Sequence, residues 1–304
     1  MKASKAIPGP RRRALSTDRL VTLGLHILAG ATLLLLVGFV GHIAWSALSE
    51  FKPELLAFSP TGIGNQFFNT IYLVFLALLI SIPLGIGAGI YMAEYATKGK
   101  AQKIMRISIE TLSSLPSIVL GLFGYLVFII MTNSQWNLFA GALTVSILTL
   151  PLIATITEDA LRALPASYAK GSYGLGATKW QTISRVLIPA AFPAIITGII
   201  LAAGRVFGEA AALMFTAGMS TDINWASTDI TSPTNAFNPF RSGETLSLQI
   251  WASRSESLDP NASAMANLSA LVLLALVFTF SIGARALSRH LNRKNLETTN
   301  NGNF

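Results

Sequence analysis

The chain has no cysteine among its 304 residues. That excludes a disulfide, a thiolate metal site and a thiol nucleophile. Charge is also scarce. Asp, Glu, Lys and Arg together make up 12%, about half the usual share of a soluble domain. Acidic residues are the rarer sign, 14 against 22 Lys and Arg. Three chemical motifs are missing as well: the G-x-x-x-x-G-K-[ST] loop that cradles nucleotide phosphates, the H-E-x-x-H metal pair, and the G-x-S-x-G nucleophile turn. The histidines, His26, His42 and His290, are too scattered for a metal site. His26 and His42 read as packing or interfacial residues. The residues therefore point to no catalytic group, no metal and no cofactor held by the chain, and no inverted repeat marks a secondary transporter.

What the chain has is apolar length. Hydrophobic residues make up 52%, and residues 20–49, 55–93 and 111–157 carry no charge. A membrane span needs roughly 20 apolar residues, so 111–157 holds two, divided by the polar stretch TNSQWN at 132–137. Six spans are expected, at about 20–48, 67–92, 109–131, 138–157, 188–217 and 264–287. The first apolar run is too long for the core of a cleaved leader. Lys and Arg gather on cytoplasmic loops. Segments 1–19, 94–108, 158–187 and the C-terminus carry 18 of the 22, whereas Lys52, Arg241 and Arg254 fall on the other side. Both termini are thus expected inside. Trp45 and Trp136 fall at outer span ends, as interfacial anchors do. The net charge of +8 reads as topology plus contact with anionic lipid, not as nucleic-acid binding. The domain plan is a basic tail over 1–19, a six-span body over 20–290 and a polar tail over 291–304.

Two charges interrupt the fifth span. Arg205 and Glu209 lie four residues apart, which on a continuous helix places both on one face. A charge at a bilayer centre costs about 2.5–3.5 kcal/mol on insertion scales. Either a polar cargo passes there, or the pair locks this span to a partner subunit. Pro116, Ser117 and Gly121 in LPSIVLG either bend the third span and present a hydroxyl to the path, or serve ordinary packing. Pro83, Gly85, Gly87 and Gly89 read as a close-packing face of the second span. Glu94 ends that span, pairing with a base in 158–187 or marking the interface. The polar outer loop 218–263 is either a docking surface, with Arg241 and Arg254 as its contact charges, or a solvated connector. Its LSLQIW stretch at 246–251 reads as a short amphipathic piece.

The loop 158–188 carries helix signals. Pro165 suits the first turn of a helix over ASYAKGSY. Gly174 and Gly176 break it. Thr178 with Gln181 three residues later is a capping-box pattern, opening a second short helix that runs to Pro189. A pair of helices lying on the inner membrane surface is the expectation.

GLGATKWQTISRVLIPAA at 174–191 resembles the EAA loop of ABC importer permeases. Gly176, Val186, Ile188 and Pro189 match its spacing, while Lys170, Gly171 and Ser172 stand where the family has Glu-Ala-Ala. The stretches at 71–96, 114–128 and 157–168, together with GRVFGE at 204–209, resemble the phosphate-importer permeases PstA and PstC. EYA at 94–96 and LSLQIW favour the PstA branch. The resemblance implies an all-α, six-span, type I importer permease in a bacterial inner membrane. It implies a coupling helix that docks on an ATPase, with Lys170, Gly171, Ser172, Gly176, Ala177 and Thr178 as the coupling residues. It further implies a homologous PstC-like permease, two PstB-like ATPase subunits that bind the ATP, and an extracytoplasmic PstS-like phosphate-binding protein. Orthophosphate is a hydrated anion, and a guanidinium matches its oxygens. Arg205, Glu209 and Ser117 are accordingly the expected path residues, with Glu209 holding Arg205 or accepting a phosphate hydroxyl proton. Another oxyanion, molybdate or sulfate, is the alternative cargo. An intramembrane enzyme acting on phospholipid headgroups is the alternative class.

Overall fold

The computed structural model describes residues 9–96, 99–255 and 260–301. Lys2, Lys5 and Lys98 lie outside them, as do the last residues of the polar tail. The side chains of Arg11, Arg12, Arg13 and His290 are likewise outside the description. Among the described residues the regular elements are helices, and five are long and apolar enough to cross a membrane, six if one bent pair counts as a span.

Residues 1–50 and 51–304 form separate units. In the first, helix α1 spans Gly9–Ser49. It begins inside the basic segment rather than after it, because one proline at a helix start is compatible with helix geometry. Its residues 20–37 expose apolar side chains on every face, the pattern of a helix solvated by lipid.

The second unit is built around α2 (Gly64–Ile90, continued by a π-helical turn to Tyr95) and α5 (Leu138–Arg162). Their packing is close because Gly85 and Gly89 face α5. A Cβ on Gly85 would lie 2.8 Å from the Ile153 Cβ, and one on Gly89 would lie 2.5 Å from the Thr157 Cβ. Gly87 touches nothing, so the expected packing face comes down to the two glycines four residues apart. The α2–α5 pair continues into a core with Ala202, Ala203, Val206 and Phe207 of α8 (Ile188–Phe207). The last helix, α11 (Ala262–Asn301), runs on into the expected polar tail and packs on α8 and on α10 (Leu246–Ser255).

Two expected spans are broken. The third is α3 (Lys100–Ser114) and α4 (Ser117–Gly124, with a π-helical turn to Ile130). The two meet at 102°. Leu115 precedes a proline and is forced extended, with φ −68° and ψ 132°, so Pro116 ends one helix and begins another instead of kinking one. The fifth span stops at Phe207 and resumes as α9 (Ala211–Thr216).

Candidate functional site

The break in the fifth span separates the two charges read as a pair. Gly208 leaves the helix with ψ −2°, and the four-residue rule no longer applies beyond it. Glu209 is buried and turns to its own chain. Its Oε1 accepts the Ala212 N–H at 3.0 Å, satisfying a free donor at the start of α9, where negative charge is favoured. Its carbonyl accepts the Ser247 hydroxyl at 2.6 Å. Arg205 is exposed, on the face of α8 opposite the buried Ala202, Ala203, Val206 and Phe207. Among the described residues it has no ion-pair partner. The expected same-face Arg205–Glu209 pair is therefore corrected: Glu209 holds the break, and Arg205 is left free.

Ser117 is half-buried at the start of α4. One turn later Gly121 lies against α9, where a Cβ would come within 2.7 Å of the Ala212 Cα. The α4 and α9 backbones thus touch beside the break. Among the described residues no hydrogen bond from the Arg205 guanidinium reaches the Ser117 hydroxyl.

In the 158–188 segment, α6 (Ala166–Gly174) starts directly after Pro165. The chain turns at Gly176, whose φ of +84° lies in the left-handed region that favours glycine. The capping box forms with both of its bonds, Gln181 N–H to Thr178 Oγ1 at 3.3 Å and Thr178 N–H to Gln181 Oε1 at 2.8 Å. The second helix is not a separate short one. It starts as α7 (Lys179–Thr182), passes a π-helical turn over Ile183–Leu187 and enters α8 directly, the π-helical turn lying where Pro189 offers no N–H to the helical ladder. Lys170, Gly171, Gly176 and Thr178 are exposed, and Ser172 and Ala177 are half-buried. Ser172 and Thr182 are joined through their hydroxyls at 2.9 Å.

The 218–245 stretch is not a loose loop. Arg241, read as a contact charge, is 2% exposed. Its guanidinium donates to the Ala236 carbonyl at 3.1 and 3.3 Å, to the Ser242 carbonyl at 3.2 Å and to Asn69 Oδ1 of α2. Burial pushes its pKa down to about 10, with Tyr72 opposing the shift. Glu244, 4% exposed, accepts from Gln66 Nε2 at 3.0 Å. Burial pushes its carboxyl up to about 7, against the Gln66 hydrogen bond. Arg254 is exposed and bonds Asn267. LSLQIW lies in α10, most of it buried.

A further charge cluster escaped sequence reasoning. Glu158 of α5, 2% exposed, accepts from Arg106 of α3 at 2.8 Å and Arg162 at 2.9 Å through one oxygen. A cavity of about 420 Å³ beside it is lined by Arg106, Glu110, Ser113, Ser114 and Thr155. The Glu158–Arg162 half is an i,i+4 pattern visible in sequence. Arg106 is 52 residues away from Glu158 and carries no local signal. Of the two readings of Glu94, pairing with a base of 158–187 is not seen through its carboxylate among the described residues: Lys179 meets its backbone carbonyl instead.

The family described as binding-protein-dependent transport system inner membrane component matches over residues 85–295. A probable ABC transporter permease protein, YqgI, of Bacillus subtilis (strain 168) is 41% identical over 285 residues, 91% of this chain and 97% of the relative. The phosphate transport system permease protein PstA of Xylella fastidiosa (strain 9a5c) is 36% identical over 226 residues, 74% of each chain. Among solved structures, a chain of a bacterial alginate ABC transporter in complex with its periplasmic protein superposes with a TM-score of 0.66 at 14% identity, covering 92% of this chain and 97% of that one. A chain of the inward-facing MetNI methionine ABC transporter gives 0.57 at 16%, covering 79% and 99%.

Proposed function

We propose, from the premise that the chain belongs to the family of binding-protein-dependent transport system inner membrane components, that its cargo is inorganic phosphate. Membership makes it a multi-pass permease subunit of an ABC importer in the inner membrane, and the family is one of transport proteins, not enzymes. The PstA relatives support phosphate over other oxyanions. The observation that carries the reading in this chain is Arg205: a cation inside an apolar span, exposed, with Glu209, the carboxylate four residues on, engaged by the Ala212 N–H. An unpaired intramembrane guanidinium is stable only when hydrated or bound by an anion. Ser117 and the α8–α9 break complete the proposed path, and Glu209 shapes it from behind.

The proposed assembly is this chain, a homologous permease, two ATPase subunits that hold the ATP, and an extracytoplasmic phosphate-binding protein, with both termini cytoplasmic. Segment 158–188 supplies the ATPase contact. No residue of α6 is buried, Leu175 is 91% exposed, and Tyr168, Tyr173 and Trp180 of the same segment are exposed as well. Such an apolar knob on a polar loop fits a cleft in a partner. The acidic residue of the family loop is replaced by the exposed Lys170, so the carboxylate contact of the family loop is absent and the apolar side chains are the proposed contact.

The test is Arg205→Gln in the reconstituted complex. Normal assembly with phosphate uptake down about tenfold to hundredfold, the scale of one charge-assisted hydrogen bond, is expected. Poor assembly assigns Arg205 to subunit locking instead. Normal uptake removes it from the path. Competition by sulfate and molybdate in the same vesicles tests the cargo.

A further inference from the structure

Two cations flank α6 in sequence, and both reach the same place. Arg162 ends α5 just before Pro165, and its Nη2 donates to the Met92 carbonyl at 2.9 Å. Lys179 opens α7 just after the Gly176 turn. Its Nζ donates to the Glu94 carbonyl and stands 4.3 Å from the centre of the Tyr95 ring. Met92, Glu94 and Tyr95 form the π-helical turn that ends α2. Helix C-termini collect partial negative charge and leave carbonyls without intrahelical donors, and a π-helical turn shifts the bonding ladder further. Two positive side chains from the two sides of α6 satisfy that end together.

We infer that Arg162 and Lys179 clamp the 158–188 segment to the end of α2 and so carry movement of α6 into the transport core. They act as positioning residues; neither touches cargo or nucleotide. The inference rests on the reading of 158–188 as the ATPase contact. A hinge with one attachment lets α6 swing without moving α2. Attachment on both sides of α6 does not. The Ser172–Thr182 hydroxyl contact closes α6 onto α7, so the segment moves as one piece. From the clamp the load continues along α2, which the Gly85 and Gly89 contacts hold against α5. At its other end α2 meets the buried Arg241 through Asn69. One 27-residue helix thereby joins the proposed ATPase contact to the opposite cap.

The test uses the full chain with its partner permease and ATPase subunits in liposomes, and compares Arg162→Met/Lys179→Met with wild type. Uptake of phosphate per ATP hydrolysed is expected to fall about fivefold or more, the size of a coupling change of 1 kcal/mol or slightly above. Lys179→Arg, which keeps the charge and the donor, restores part of it in the Arg162→Met background. Glu158→Gln is the structural control: it removes the Arg162 ion pair, leaves the Met92 bond and keeps uptake per ATP near wild type. Hydrogen exchange of the purified chain gives a readout free of cargo. Amides of 166–174 exchange faster in the double variant, while those of 140–150 do not change. Unchanged exchange over 166–174 overturns the clamp, and unchanged uptake per ATP overturns its role in transport. A complex that hydrolyses ATP but imports only sulfate or molybdate refutes phosphate as cargo, and the ratio for that ion then decides the clamp. If the chain assembles with no ATPase, the reading of 158–188 falls and the transmission role falls with it.

Discussion

Two charge clusters sit at opposite ends of α2, and they handle the cost of burial differently. Where α2 begins, Arg241 and Glu244 are both nearly inaccessible, yet neither is the other's partner. Arg241 is held by carbonyls and an amide oxygen, and Glu244 by Gln66 and its shifted protonation. Where α2 ends, one buried carboxylate, Glu158, is shared by two arginines that are 49% and 44% exposed. The first arrangement is a lock: removing a member strands buried polar atoms, each costing about 1–3 kcal/mol. The second keeps its cations in reach of water, where ion pairs contribute little and are screened. Removing a charge is therefore expected to cost more where α2 begins than where it ends.

Breaking the lock has the largest expected effect. Arg241→Met leaves Asn69 Oδ1 and the Ala236 carbonyl unpaired in a buried setting and is expected to cost about 3 kcal/mol or more. A melting temperature lowered by several degrees in detergent checks it. A surface docking role for Arg241 predicts no change in melting and is excluded by such a drop.

The Glu244 carboxyl sharpens the same comparison by pH. Its folded pKa lies above the ordinary value of 4.5, at about 7. A raised acid binds its proton more tightly when folded, so stability is greatest below the unfolded value, falls as pH rises from about 4.5 to about 7, and is flat above. The slope is at most about 1.4 kcal/mol per pH unit. Glu244→Gln removes the slope and gains stability above pH 7. Melting curves from pH 5 to pH 8 show whether the slope resides in this residue.

Glu158→Gln tests the other end. It keeps the shape and an acceptor oxygen but ends both ion pairs, and a loss of about 1–2 kcal/mol is expected. The difference from wild type shrinks in 1 M salt, where screening acts over about 3 Å. A salt-independent loss equal to that of Arg241→Met erases the contrast between the two clusters.

Gly176→Ala has the smallest expected effect. Nothing lies within 4 Å of a Cβ there, and the cost comes from the φ of +84° alone, about 1 kcal/mol. Melting of the chain is expected to change little, with loss concentrated in exchange protection of 166–178.

Local patterns were legible in the sequence where the signal is itself local. The apolar runs of α1, α2, α5, α8 and α11 read correctly because a bilayer demands length and composition within one segment. Pro165, Gly176 and the Thr178–Gln181 box read correctly because caps and turns are settled by four adjacent residues. Pro116 marked the right place in the third span, but the 102° turn did not follow from it, because a proline constrains its own bond and not the direction in which the next helix packs. Arg205 and Glu209 failed for a related reason. Four-residue spacing places them together only on an unbroken helix, and the break at Gly208 is held by the nearby Ala212 N–H together with Ser247 and Gly121, which come from two other parts of the chain.

The sequence by itself determined that this is a membrane chain of five or six apolar spans with a capped, turned segment between the fourth and fifth, because hydropathy, charge scarcity and capping are properties of neighbours along the chain. Only the tertiary structure decided which charges are locked and which are free. Arg241 looked like a surface residue and is buried by a folded-back loop, while Arg205 looked paired and has no ion-pair partner among the described residues. The bond of Arg241 to Asn69 spans 172 positions and that of Glu244 to Gln66 spans 178, and no local pattern carries that distance.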